Sequence, residues 1–322
     1  MWQKFKADSS TIQKKYLSLY LNGKKMAEHK KATTVDEQID KLKSRGMIID
    51  DNDKVRENLL DIGYYRLGFY WFPFEETYPR KTSRTHNLKE GTNFDYAIKL
   101  YYFDFDLRNL FLRYISRIEV NFRTTVIYHV SNSYKENPYW YVDESIINKA
   151  VISSLEYEKA LKDVNKEPLI IHDKKEHGKR DYAPAWKALE FMSFGTIIKL
   201  YENLINPHLK CDISKVYGMN SPSQFSNYIN TVRRLRNCCA HEKVLFDLNL
   251  PAAIGDGPLG YLGCRKTMLA GAYFVFKYLL KQVSANRVTE MKADLLKAYE
   301  RIPYPTVRNV VLNNSGLIIN EI

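Results

Sequence analysis

The run Arg233-Arg234-Leu235-Arg236-Asn237-Cys238-Cys239-Ala240-His241-Glu242 places guanidinium groups, an amide and an imidazole within a few helical turns. On a helix advancing about 100° per residue, with Arg236 at zero, Ala240 falls at about 40°, Arg233 at about 60°, Asn237 at about 100° and His241 at about 140°. Tyr228, Val232, Leu235 and Cys239 fall together at about 260–320°, an apolar stripe predicted to face a core. A guanidinium fork suits a phosphate, and an imidazole exchanges a proton near neutral pH. The small Ala240 leaves room for a substrate between Arg236 and His241, so the segment suits phosphodiester chemistry. The plainer role for arginine and histidine at a helix C-terminus is to complement the helix dipole, and R-x4-H spacing alone recurs by chance. Cys238 and Cys239 read as small buried helix residues rather than nucleophiles, since Cys239 is on the apolar stripe and no base flanks Cys238.

A helix bearing this segment needs a neighbour to pack on, and the longest periodic stretch supplies one. From Phe94 to about Ser131 there is no Gly or Pro, and Ile98, Tyr101, Phe105, Leu107, Phe111, Tyr114, Ile118 and Phe122 recur at helical spacing. This predicts a spine helix, whole or kinked into two. On it, Glu119 and Arg123 form an i,i+4 pair able to buttress an adjacent active helix. Arg123 and His129 repeat the arginine–histidine pairing, but about 120° apart and two turns apart, which is accidental.

Elsewhere the signals are also helical. Thr34 with Glu37 forms a capping box ahead of Val35, Ile39 and Leu42, with Gly46 as the stop. A short helix follows over about 54–62, then the aromatic block Tyr64–Phe74, read as a hydrophobic wedge in preference to a base-stacking platform, and a polar loop over 75–93. Helices are predicted over about 141–165, 185–203, up to 240 from a cap at Ser221 or Ser223, 265–283 and 288–302. A charged link falls at 172–181, a Pro/Gly loop at 247–263 and a tail from Pro303. Few strand patterns and no internal repeat occur, so the fold class is all-α. Residues 1–33 read as a basic extension with a weak helical pattern, 34–245 as the core, and 246–322 as a loop and C-terminal helices packing on it.

The chain has 322 residues, 45% of them hydrophobic, enough for a sizeable core. With 49 Lys plus Arg against 37 Asp plus Glu, 49 − 37 gives a formal +12, which favours a polyanionic partner. The four Cys form no disulfide framework or CxxC knuckle, and the seven His show no metal-ligand spacing, so neither metal nor cofactor is expected. The most apolar window, Met268–Leu280, is interrupted by Lys277 and falls short of the roughly 20 residues of a membrane span. The N-terminal lysines precede no apolar stretch of a secretion signal. A cytoplasmic protein is expected.

Taken in order along the chain, a set of stretches resembles the bacterial abortive-infection, Abi-like proteins (the AbiD/AbiF group), whose core is a HEPN domain. They are Glu37-Gln38-Ile39 with Leu42-Lys43-Ser44-Arg45-Gly46; Ile62-Gly63-Tyr64-Tyr65-Arg66-Leu67; Gly91-Thr92-Asn93-Phe94; Tyr101, Phe103-Asp104 and Leu107-Arg108; Arg117-Ile118-Glu119-Val120 with Arg123; Trp186 through Thr196; and Leu235 through His241. Together they span about residues 34–245. The resemblance implies a HEPN-like helical bundle, with additional N- and C-terminal helices, carrying an R-x4-6-H endoribonuclease motif on Arg236 and His241 with Asn237 inside it. Glu119, Arg123 and Arg233 would support the site. It further implies metal-independent attack of an RNA 2′-hydroxyl on the adjacent phosphorus, a 2′,3′-cyclic phosphate product, indifference to DNA, and a homodimer. His241 would move the proton, Arg236 would stabilise phosphoryl charge, and Asn237 would orient His241 or the substrate. The family implies a toxin-like role in phage defence, in some relatives restrained by a small non-coding RNA antitoxin. One departure stands out: the second histidine and Arg-Leu-Trp/Tyr-Asn run that often follow the motif are replaced by Glu242-Lys243-Val244-Leu245-Phe246-Asp247. Glu242 either holds His241 charged or is simply solvated. The competing readings are a non-catalytic RNA-binding module and a protein-interaction scaffold.

Overall fold

Nothing between Phe94 and Ser133 interrupts the helical backbone, and the segment folds as one helix of 40 residues, about 60 Å long, without a break at its centre. The Asn93 side chain caps it by accepting from the Asp95 amide at 2.8 Å. Leu100, Phe103, Leu107, Phe111, Ile115, Ile118, Phe122, Val126 and Val130, spaced three or four apart, are buried along it. The structure is a computed structural model that describes residues 31–177 and 181–321. The predicted basic extension lies, up to residue 30, outside the described residues.

Among the described residues there are 14 α-helices and no strand, the β pairing being confined to isolated bridges. In chain order the helices are α1 (Val35–Ser44), α2 (Asn52–Asp61), α3 (Tyr64–Trp71), the spine α4 (Phe94–Ser133), α5 (Lys149–Ile152), α6 (Leu155–Val164), α7 (Pro168–Glu176), α8 (Ala185–Ala188), α9 (Phe194–Glu202), α10 (Pro207–Val216), α11 (Pro222–Ala240), α12 (Leu269–Val283), α13 (Ala285–Glu300) and α14 (Pro305–Ser315). The fold is all-α. The spine is its axis: α3, α9, α10, α11, α12, α13 and α14 all pack against it. Phe122 sits at the centre of one aromatic cluster with Phe194, Tyr201, Tyr217 and Phe225. Phe111 meets Tyr273 and Phe276 of α12 in another.

Several boundaries follow from local chemistry. The capping box on α1 is formed, Thr34 Oγ1 accepting from the Glu37 amide and Glu37 Oε2 accepting from the Thr34 amide. The helix expected over about 141–165 is instead a 3₁₀ turn followed by two helices, because Asp143, Asn148 and Ser154 each accept from a nearby backbone amide and so start or stop a turn. The helix expected over 185–203 is likewise split at Ser193, which caps α9. Helices α7, α10 and α14 occupy segments read as link, unassigned and tail. Each opens with a proline at its first position, where the missing N–H costs nothing, so these prolines start helices rather than end them.

Candidate active site

Helix α11 follows the geometry expected of it. Pro222 opens it and Ser221 Oγ caps it, accepting from the Gln224 amide at 3.4 Å. Phe225, Tyr228, Ile229, Val232, Leu235 and Cys239 are buried against the spine and α12. The opposite face leaves Arg233, Arg236 and Asn237 half-buried. These three line a cleft of about 300 Å³ with Glu119 of the spine and α9 along its length from Phe194 to Glu202.

Every cation of this cleft is engaged. Glu119 bridges Arg236 (3.7 Å from Oε2 to Nε) and Arg123 (3.7 Å from Oε1 to Nη2). Arg123 is fixed from behind by donating to the Met192 carbonyl at 3.0 Å. Arg233 Nε donates to Asn230 Oδ1 at 3.0 Å, and Asn230 Nδ2 donates to Glu202 at 2.6 Å. Lys199 pairs with Glu156. Three cations (Arg233, Arg236, Lys199) and three carboxylates (Glu119, Glu156, Glu202) line the cleft, so 3 − 3 leaves it formally neutral.

His241 does not face this cleft. It is the C-cap of α11, exposed, and lines a separate pocket of about 560 Å³ bounded by α3, the 75–93 loop and the turn after α11. That turn is a Schellman closure: the Lys243 amide donates to the Cys238 carbonyl at 2.9 Å and the Glu242 amide to the Cys239 carbonyl at 3.1 Å. The left-handed position that favours glycine is taken by Glu242, with φ +52°. Arg66 of α3 holds it there, its Nη2 donating to the Glu242 carbonyl at 3.0 Å and to its carboxylate at 2.9 Å. Glu242 is therefore paired with Arg66 while its carboxylate stays largely solvated, and no ion pair joins it to His241 among the described residues. No hydrogen bond or ion pair joins Arg236 to His241 among the described residues.

Behind the turn is a buried polar cluster. Asp104 accepts from the Leu245 and Phe246 amides, each at 2.9 Å, from the Tyr70 hydroxyl at 3.0 Å, and from Arg108. Arg108 also donates to the Lys243 carbonyl at 3.4 Å. Burial pushes the Asp104 carboxyl up to about 6, outweighing the opposing pull of Arg108 and the amides. The motif thus ends in a turn clamped to the spine by a carboxylate. The same principle disposes of the cysteines: burial pushes both the Cys238 and Cys239 thiols up, away from nucleophilic character.

Sequence reading placed Arg236, Asn237 and His241 in one site supported by Glu119, Arg123 and Arg233; the structure brings Arg236, Asn237, Arg233, Glu119 and Arg123 together and sets His241 on a separate pocket. Sequence reading gave no site role to Asp104, Arg108, Tyr70 or Arg66, although Asp104, Arg108 and Arg66 lie in the stretches that carry the family resemblance. A signal was available for the first two: Asp104 lies in phase with Leu100, Leu107 and Phe111, so a carboxylate sits on the stripe that must be buried. Among the described residues, no group of three or more His, Cys, Asp or Glu side chains is placed to hold a metal ion, and no helix is long and apolar enough to cross a membrane.

A family model described as Abi-like protein matches residues 57–247, a span containing every residue of both clefts named above. No curated protein and no solved structure matches the chain.

Proposed function

The chain belongs to the Abi-like protein family, and from that premise we propose that it is a HEPN-type, metal-independent endoribonuclease acting as a toxin of abortive infection against phage. The observation that carries the reading is the end of α11: an exposed imidazole, His241, one turn beyond Arg236 and Asn237, on a turn clamped by buried Asp104. His241 removes the proton from a ribose 2′-hydroxyl as that oxygen attacks the adjacent phosphorus. The P–O5′ bond breaks, leaving a 2′,3′-cyclic phosphate, and the departing 5′-oxygen takes a proton from an imidazolium. Arg236 neutralises the non-bridging oxygens at the crowded phosphorus, and Asn237 steadies the substrate backbone or the imidazole. Proton transfer and charge neutralisation by these side chains call for no bound metal. DNA, lacking the 2′-hydroxyl, is not a substrate.

Two copies complete the site in this reading. Within one chain Arg236 and His241 open on different clefts, and a two-fold pairing of α11 ends sets the arginine of one copy against the histidine of the other. Engagement of Arg236 by Glu119 supports a resting state that substrate phosphate must displace. The net charge of +12 supports RNA as both substrate and, in a cytoplasmic toxin, restraining partner. A second reading, a non-catalytic RNA-binding module, is favoured by the opening of Arg236 and His241 on separate clefts of one chain.

The two are separated by incubating salt-stripped protein with labelled single-stranded RNA in EDTA, alongside His241→Ala and DNA of the same sequence. Cleavage of RNA alone, with cyclic phosphate ends and no cleavage by the variant, is the expected result. Retention of RNA without cleavage by the native protein, together with weakened binding by His241→Ala, would establish the binding module instead.

A further inference from the structure

We propose that the pocket beside His241 is a binding site for one unpaired nucleotide of an RNA strand, the nucleotide next to the scissile phosphate. This rests on the ribonuclease reading for its substrate but on separate residues for its argument.

The pocket, at about 560 Å³, falls in the range of built ligand sites and is nearly twice the volume of the Arg236 cleft. Its charge differs as well. Arg66, Lys81, Arg84 and Lys243 oppose Glu242 and Asp247, so 4 − 2 leaves a formal +2 before His241 is counted. Two of those cations are committed: Arg66 to Glu242, and Arg84 to buried Glu75, to which its Nε donates at 2.8 Å. Lys81 and Lys243 are exposed and form no ion pair within 4 Å among the described residues; Lys81 acts on Asp247 only at longer range, so both ammonium groups can reach an incoming phosphate.

The rest of the lining suits a base. Phe69 is 46% exposed, a large apolar surface that α3 turns outward while its neighbours Leu67 and Tyr70 are buried. Phe72 stands beside it with the Arg84 guanidinium 4.2 Å from its ring centroid, which holds that ring in a fixed orientation. At the edge, half-buried Asp247 accepts from the Tyr78 hydroxyl at 3.5 Å and has lone pairs left for an exocyclic amine on a base's pairing edge. Rings for the base face, an acceptor for its edge and ammonium groups for the flanking phosphates are the features by which single strands are recognised. A paired base cannot present its face and edge together, so a duplex is excluded from the recess.

The test uses the full chain with His241→Ala, which prevents cutting, and a fluorescently labelled single-stranded RNA in EDTA. Phe69→Ala weakens binding about tenfold, within the span measured for loss of a stacking side chain. Lys81→Gln lowers the slope of log affinity against log salt by about 0.7, the loss of one phosphate contact on a single strand. Lys166→Gln, on the exposed 165–168 turn, changes neither. The same RNA annealed to its complement binds weakly and is indifferent to Phe69→Ala. Because Lys81 is on an exposed loop, its variant keeps the test open should Phe69→Ala unfold. Unchanged affinity in both variants overturns the proposal, as does a 5′-mononucleotide binding as tightly as the strand, or an acidic peptide binding where RNA does not. The two readings fail separately. Cutting that needs His241 but ignores Phe69 and Lys81 removes the subsite and leaves the nuclease; weakened binding in both variants, without cutting by native protein, removes the nuclease and leaves the subsite.

Discussion

Asp104→Ala is the most informative single change to the scaffold beneath the motif. The side chain is fully buried and collects four donors: the Leu245 and Phe246 amides, the Tyr70 hydroxyl and Arg108, itself buried. Removing one member of a buried ion pair costs about 3–5 kcal/mol, because the remaining charge is stranded. That is a large share of the roughly 5–15 kcal/mol by which domains are stable. The size of the loss depends on pH in a direction set by the raised carboxyl. With a folded value of about 6 against an ordinary 3.8, the native state binds the extra proton, so the contribution of Asp104 is complete below about 3.8 and declines as pH rises through 6. The shift bounds that decline at about 3 kcal/mol, from roughly 1.4 kcal/mol per unit. Urea unfolding followed by helical circular dichroism, run from pH 4.5 to pH 8, reads both quantities. The expected difference between native protein and variant is largest at the acid end and narrows toward neutrality. Adding Arg108→Met recovers part of the loss by removing the stranded guanidinium. It cannot recover all, since the two backbone amides stay unpaired at about 1–3 kcal/mol each. A cost below about 1 kcal/mol at every pH would refute the clamp. A difference that widens with rising pH would mean that Arg108 and the amides, not burial, govern the carboxyl.

The remaining expectations concern neighbouring residues. Glu119→Gln removes the carboxylate that engages Arg236 and shifts its cleft from neutral to +1 (3 − 2), so RNA binds several-fold tighter at low salt while kcat falls as Arg236 loses its orientation; equal loss of affinity and kcat would contradict this. Glu242→Gly relieves a non-glycine left-handed residue at the Schellman position and gives up an ion pair whose carboxylate is 71% exposed, so the melting temperature stays level or rises slightly, and a fall of several degrees would show the Arg66 bridge to be worth more than exposed pairs are. Gly271→Ala sets a new methyl 2.2 Å from the Arg265 carbonyl oxygen, forcing α12 off the preceding 3₁₀ turn at a cost of about 1–3 kcal/mol or more, read as a lowered melting temperature.

How much of this was legible in the residues depends on the kind of signal. The spine and α11 announce themselves because their apolar periods run long and their caps are explicit, and the cluster of Arg233, Arg236 and Asn237 around Glu119 follows once two such helices are adjacent. Short helices opening on Pro168, Pro207 and Pro305 were hidden, since proline reads as a stop unless its N-terminal position is known. The opening of His241 away from Arg236 was also hidden. Projection on a regular helix assumes the helix continues, whereas His241 is its cap and the chain reverses at Glu242 through a left-handed residue that glutamate rarely signals. Arg66 reaches Glu242 across 176 positions and Tyr70 reaches Asp104 across 34, proximities no local pattern carries.

The unbroken spine also fixes a length. Glu119 and Asp104 are fifteen positions apart on one helix, about 22 Å of rise. They grip Arg236 and the Leu245 amide, so the intervening chain must cover that same distance. It does so with about 7 Å of helix to His241, the Schellman turn through Glu242, and the reach of the Arg236 and Glu119 side chains. The spine thus acts as a ruler laid against the motif, running antiparallel to it, with one mark at Glu119 and the other at Asp104. Substitutions between 237 and 244 leave the measurement intact, whereas inserting or deleting a residue there shifts one grip relative to the other. Spacing, more than identity, is what this stretch of chain has least freedom to change.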